Sequence, residues 1–432
     1  MVKRIKTKIP VEKVFKATKE IRLKVGSSIC LACRGAKLLC GKSSCPVMIR
    51  LAYFKKVLPI LNEGSVYGAS PPEVFVGWKT YPNVYVGPLV PPNKGDTSLM
   101  ANPSLWLDLS ISDIAEIRTS LIRESFKVHV RKPWSKGKLY DETLEVTLSS
   151  RPAYVDAVLE RAPKAEVLID SEVQPMGPLA PVKSIYVTGA RGDRRLEKVF
   201  YDYDLKASDA IRALYAMKTS VYSIVRLMSI GGMGIIKNRK LVPTRWSITA
   251  VDDTLSRYII NTYVKKSPLI NEYRVYEYSK LGNKFIILML PHSWEYESIE
   301  AWFPGTLWNP DSRNVAMIGD WEGYHGRTNY ASMGGCYYAA RLAVTEKLKQ
   351  EGRQAAVLVL REIYGDYIMP LGVWLVREMT RKALSSEPTK FGSLEEALEY
   401  VFSKLKIPRN EWVKNSLILS NLRKQVKITN FL

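Results

Sequence analysis

Apolar positions recur along this chain in two rhythms, one near three and a half residues and one of two, and the switches between them mark the expected elements. Helical spacing predicts helices over 46–61, 111–121, 205–227, 334–350, 370–383 and 393–405, with Ser110 or Ser112 as the cap of the second. The stretch 141–161 reads as a helix broken near Pro152. Strand spacing takes over elsewhere. Phe285 to Leu290 and Ala355 to Leu360 are short, continuous apolar runs of the kind a fully covered strand shows. Residues 274–278 and 283–291 flank Leu281-Gly282 as a hairpin, and 294–302 alternates. Val242 to Asp253 reads as a strand leading into a helix that begins near Asp252.

Pro and Gly crowd the stretch from Gly64 to Pro103, which predicts short buried strands between tight turns. The run Gln174-Pro-Met-Gly-Pro-Leu-Ala-Pro181 separates one half from the next. Helices interleaved with strands, and hairpins among them, predict a mixed α/β (α+β) fold with a partly antiparallel sheet and an N-terminal zinc knuckle. The expected divisions are a basic region with the knuckle over 1–62, a Pro/Gly-rich α/β region over 63–180, a main α/β domain over 181–415 and a tail over 416–432.

Composition narrows the class. With 432 residues and 46% apolar content the chain has ample material for a core. No apolar run reaches the roughly 18 residues a membrane helix needs, so no membrane role is expected. The start, Met1-Val-Lys-Arg-Ile-Lys-Thr-Lys, is basic and lacks the apolar block of a secretory signal, which predicts a cytoplasmic, nucleoid-associated protein. The net charge is +22, and +13 of it falls before Val57, where fifteen Lys and Arg face only Glu12 and Glu20. A polyanion, DNA above all, is the expected partner; a solvated basic face is the plain alternative.

That charge surrounds four of the five cysteines. Cys30, Cys33, Cys40 and Cys45 follow the spacing C-x2-C-x6-C-x4-C, which can wrap four thiolates around one structural zinc. An iron–sulfur cluster accepts the same ligands and stays open. Arg34, Lys37 and Lys42 lie inside the knuckle, placed to touch phosphates. Cys336 stands alone and reads as a small core residue.

The chain closes with Gln425-Val-Lys-Ile428-Thr-Asn-Phe431-Leu432. A single turn of tight helix puts Ile428 and Phe431 on one face with Leu432 beside them, while Gln425 is free to bond at a pocket rim. This is the spacing of a peptide that docks on the sliding clamp PCNA. It departs from the usual pattern in closing with Phe-Leu instead of two aromatics, and a frayed apolar tail is the alternative.

Two interior stretches are too polar for simple core. Asp252 and Asp253 sit near the expected strand–helix junction, and Asp320, Glu322, His325 and Arg327 crowd into eight residues among glycines. Glu295 and Glu297 share a strand face. Such carboxylates can hold magnesium or manganese for phosphodiester cleavage, with Arg245 or Arg327 on phosphate. The competing account makes Asp252 a helix cap and Asp320–Arg327 an ion pair. The two function classes left are therefore a clamp-tethered DNA-binding module and a clamp-associated, metal-dependent nuclease using Asp252, Asp253, Asp320, Glu322 and Arg327.

These stretches also carry a family likeness. Cys30-Leu-Ala-Cys-Arg-Gly with Leu-Cys-Gly-Lys-Ser-Ser-Cys-Pro46, Val74-Phe-Val-Gly77, Tyr81-Pro-Asn-Val-Tyr-Val-Gly-Pro-Leu-Val-Pro-Pro92, Gly95-Asp-Thr-Ser98, Pro243-Thr-Arg-Trp-Ser-Ile-Thr-Ala-Val-Asp252 and Gly319-Asp-Trp-Glu-Gly-Tyr-His-Gly-Arg327 together resemble the archaeal Nre family of DNA repair proteins. The resemblance spans nearly the whole chain. It implies repair of DNA damage, a four-cysteine zinc finger on Cys30, Cys33, Cys40 and Cys45, and a clamp contact through Gln425, Ile428, Phe431 and Leu432. It brings no settled catalytic residues.

Overall fold

A computed structural model of the chain describes residues 64–161, 175–306 and 314–424, with scattered positions outside them such as Cys33, Lys37 and Cys45. It divides into two compact units, Met1–Thr254 with Ile368–Leu371 and Leu255–Tyr367 with Gly372–Leu432. The division falls inside the 19-residue helix Thr244–Thr262.

The first unit is built on a six-stranded sheet. Its strands are β1 (Ser65–Ser70), β2 (Val74–Val76), β3 (Asn83–Val90), β4 (Ile122–His129), β5 (Ala153–Leu159) and β6 (Leu179–Thr188), in the order β1-β5-β6-β4-β3-β2. Only β4 and β6 run parallel; the other neighbours are antiparallel. The Pro/Gly-dense stretch thus forms short strands, as its turn chemistry predicts. Gly87 is required in β3, because a Cβ there would lie 1.7 Å from the Glu124 carbonyl oxygen of β4.

Helices differ from the expectation at three places here. The helix Lys138–Leu148 ends before Pro152, and Ala153–Leu159 is a strand whose residues alternate between buried and exposed. The pattern over 205–227 is two helices, Ala207–Ala216 and Val221–Ser229, parted at Lys218 with φ of 56° and restarted by Ser220, whose hydroxyl caps at the Tyr222 N–H. The third is Thr244–Thr262 itself, which begins eight residues before Asp252.

The second unit holds another six-stranded sheet, from β7 (Tyr273–Lys280), β8 (Asn283–Leu290), β9 (Glu295–Trp302), β10 (Ala316–Glu322), β11 (Ala356–Ile363) and β12 (Thr389–Phe391), ordered β10-β9-β11-β8-β7-β12. The β7–β8 hairpin turns at Leu281 and Gly282, both at positive φ, as a tight two-residue connection demands. All eight residues of β11 are buried, which accounts for the apolar run over its first five, Ala356–Leu360. One layer of core combines Ile286, Leu288, Leu290, Leu358 and Leu360 with Leu398, Trp412 and Ile418 from the C-terminal helices. The helix Leu394–Lys404 starts with a capping box between Ser393 and Glu396. The helices Gly335–Glu351 and Val373–Leu384 are clamped together by a two-pronged bond from Arg381 to Glu346. The fold is mixed α/β with two mixed sheets among the described residues. No helix among them is long and apolar enough to cross a membrane.

Candidate functional site

The polar stretch Gly319–Arg327 begins on the edge strand β10 and leaves it in a loop. Successive side chains of a strand point to opposite faces, so Asp320 and Glu322 share a face with one residue between them. Each is met by its own arginine. Asp320 pairs with Arg327 at 2.7 Å and accepts the Ser332 backbone N–H at 2.6 Å. Burial pushes the Asp320 pKa up, but the bonds from Arg327 and Ser332 outweigh it and the carboxyl settles below its ordinary value.

Glu322 is deeper. Its carboxylate meets the Arg341 guanidinium at 2.5 Å, and Arg341 also donates to the Ser256 hydroxyl at 3.1 Å. The Tyr337 ring lies under both arginines, 4.9 Å from Arg327 and 5.7 Å from Arg341. Arg341 was not visible as Glu322's partner in the sequence, since nothing in a helix interior 19 residues away marks it.

The other two expected acids stand on a different element, the helix Thr244–Thr262. Asp252 is fully buried within the helix Thr244–Thr262, not at a strand–helix junction, and so is not its N-cap. Asp253 is half-buried on the same helix. Both belong to the first unit, whereas Asp320, Glu322 and Arg327 belong to the second. Among the described residues no group of three or more His, Cys, Asp or Glu side chains is placed to hold a metal ion.

Glu295 and Glu297 of β9 do different work. Glu295 accepts from the Trp321 indole at 3.3 Å. Glu297 is buried at the start of the last helix, Leu417–Lys424, and accepts from the Ser416 hydroxyl at 2.6 Å and the Leu417 and Ile418 N–H groups at 2.7 and 3.1 Å. Those N–H groups have no partner inside the helix, so a carboxylate from a strand adds to the local cap, in which the Ser416 hydroxyl accepts the Leu419 N–H at 3.1 Å. Burial raises the Glu297 pKa, and the three donors oppose it. Gln425, Ile428, Phe431 and Leu432 follow this helix directly in sequence and lie outside the described residues.

Of the cysteine cluster, Cys33 is buried and Cys45 half-buried; Cys30 and Cys40 lie outside the described residues. The Cys33 and Cys45 carbonyls accept from the Lys37 and Ile49 N–H groups at 3.2 and 3.0 Å. A donor set of four thiolates fits zinc. Lys37 is exposed, and Arg34 and Lys42 lie outside the described residues. Cys336 is a half-buried residue whose thiol is pushed up by burial, against the role of a nucleophile. Arg245 is exposed, with its guanidinium 5.6 Å from the Trp78 ring.

Known proteins match this chain along most of its length. The family model described as archaeal Nre, N-terminal, matches residues 39–309, and that described as archaeal Nre, C-terminal, matches residues 322–431. DNA repair protein NreB of Archaeoglobus fulgidus is 39% identical over 397 residues, covering 92% of this chain and 98% of the relative. DNA repair protein NreA of the same organism is 37% identical, covering 89% and 95%. DNA repair protein NreA of Haloferax volcanii is 35% identical, covering 84% and 88%. No solved structure matches. Two family models that between them span both units, with full-length relatives at this identity, place the chain in the archaeal Nre family.

Proposed function

We propose that this chain is a DNA repair protein that binds DNA and is recruited to it by docking its C-terminal peptide on the PCNA sliding clamp. The observation that carries the reading is the sequence Gln425-x-x-Ile428-x-x-Phe431-Leu432 set directly after a helix whose first turn is held by Glu297. Three relatives named as DNA repair proteins support the repair half of it. The +13 charge before Val57 supports DNA contact, with Arg34, Lys37 and Lys42 on phosphates around a zinc knuckle of Cys30, Cys33, Cys40 and Cys45. The work is done in the cytoplasm, on the nucleoid.

Capture by immobilised clamp tests the reading. Full-length protein binds and a chain ending at Lys424 does not. Equal capture of the two would remove the clamp half of the proposal.

A further inference from the structure

We propose that Trp78, Tyr81, Arg245 and Trp246 form a stacking site for the unpaired bases of single-stranded DNA. This rests on the DNA-binding reading above and adds to it a place and a strand form. All four residues lie in the first unit, on two segments far apart in sequence. Trp78 and Tyr81 stand on the turn between β2 and β3; Arg245 and Trp246 open the helix Thr244–Thr262. The Thr244 hydroxyl accepts the Val76 N–H at 3.0 Å and ties one segment to the other.

The side chains meet in two pairs. The Arg245 guanidinium lies 5.6 Å from the Trp78 ring centre, and the Tyr81 and Trp246 rings are 5.1 Å apart at 54°. Yet Trp78, Tyr81 and Trp246 remain 43%, 46% and 44% exposed. An aromatic ring that contacts a neighbour and still shows nearly half its surface to water has a face to offer. Single exposed rings need no explanation, but three gathered with an arginine do.

The backbone beneath them is fixed. Gly77 N–H bonds to Tyr85 O at 2.8 Å, Tyr81 N–H to Trp78 O at 3.1 Å and Asn83 N–H to Thr80 O at 2.9 Å. The Val130 N–H holds the Pro82 carbonyl at 2.9 Å, and the Trp246 N–H holds that of Pro243 at 2.8 Å. A ligand that stacks here therefore orders little of the protein.

Charge selects the ligand. Residues 76–83 and 243–248 contain Lys79 and Arg245 and no acid. Flat rings beside cations suit bases with their phosphates, and only an unpaired base can present its face to a ring. Bases inside a duplex are stacked on each other, so the site discriminates between strand forms.

Anisotropy of a fluorescein-labelled 20-nucleotide dT strand and of a 20-base-pair duplex, titrated with the full chain at low salt, tests this. Trp78→Ala and Trp246→Ala should each weaken single-strand binding about tenfold or more, the loss of one stacked base. Duplex binding should change less than about twofold, and Trp78→Phe should retain most single-strand affinity. A melting curve for each variant guards against unfolding. Unchanged single-strand affinity in either Ala variant overturns the stacking site while leaving DNA binding intact. Equal loss on both DNA forms, or a loss that Trp78→Phe shares, overturns it as well. Failure of the unaltered chain to bind either DNA removes the broader reading with it.

Discussion

The Glu322 carboxylate and the Arg341 guanidinium lie 2.5 Å apart with 1% of each side chain exposed. Two opposite charges removed from water together depend on each other far more than a surface pair does. Glu322→Ala leaves the guanidinium buried without its counter-charge and should cost roughly 3 to 5 kcal/mol of stability in denaturant unfolding. Replacing both, Glu322→Leu with Arg341→Met, should recover most of that. If Glu322→Ala unfolds like the unaltered chain, the pair is not holding the second unit together.

Asp320 makes the acid side of the stability curve testable. Its folded pKa lies below the ordinary 3.8, because bonds from Arg327 and Ser332 outweigh burial. The stability this contributes is present at neutral pH and is lost as pH falls below about 4 through the lowered folded value. Asp320→Asn should lower the melting temperature at pH 7 and flatten its fall in acid. Parallel curves for the two proteins from pH 7 to pH 3 would contradict it.

The spacing of Cys30, Cys33, Cys40 and Cys45 predicts about one zinc per chain by elemental analysis. Cys33→Ser should lose the metal and expose the region to protease. Protein purified without chelator that carries iron in the same proportion would favour a cluster in its place.

If the C-terminal segment docks on the clamp as proposed, Phe431 is its aromatic anchor, and Phe431→Ala should cost roughly 2 kcal/mol or more of clamp affinity, with the melting temperature unmoved. Calorimetry of the two full-length proteins against the clamp gives the comparison. Matching affinities would assign the contact to another part of the chain.

Much of the second unit was legible because local and tertiary preferences agree there. Leu281-Gly282 dictates a hairpin whatever surrounds it, Ser393 with Glu396 forms a capping box, and β11 opens with the apolar run Ala356–Leu360 because both its faces are covered. Around Asp252 they part. The β-branched residues of Ile248-Thr-Ala-Val251 suggest a strand, yet Pro243 and Thr244 set a helix start and packing extends it past Asp252. The alternation of Ala153–Leu159 was present in sequence and was masked by carrying a helical period across Pro152. Pairings such as Glu322 with Arg341, Glu297 with the Ser416–Ile418 turn, or Trp78 with Arg245 leave no trace in spacing, because each joins elements that only the fold brings together.

The attachment of the last helix also sets the length of a leash. Its first turn is fastened to β9 by Glu297, and its eight residues advance about 12 Å before the segment Gln425–Leu432 begins. No spacer separates the two in sequence. If that segment docks on a clamp as proposed, a body moored so short could not sweep around the ring as one on a long linker would. It would then ride close above a single clamp subunit, and the proposed DNA-binding surfaces would be held at high local concentration over the strand threading that ring.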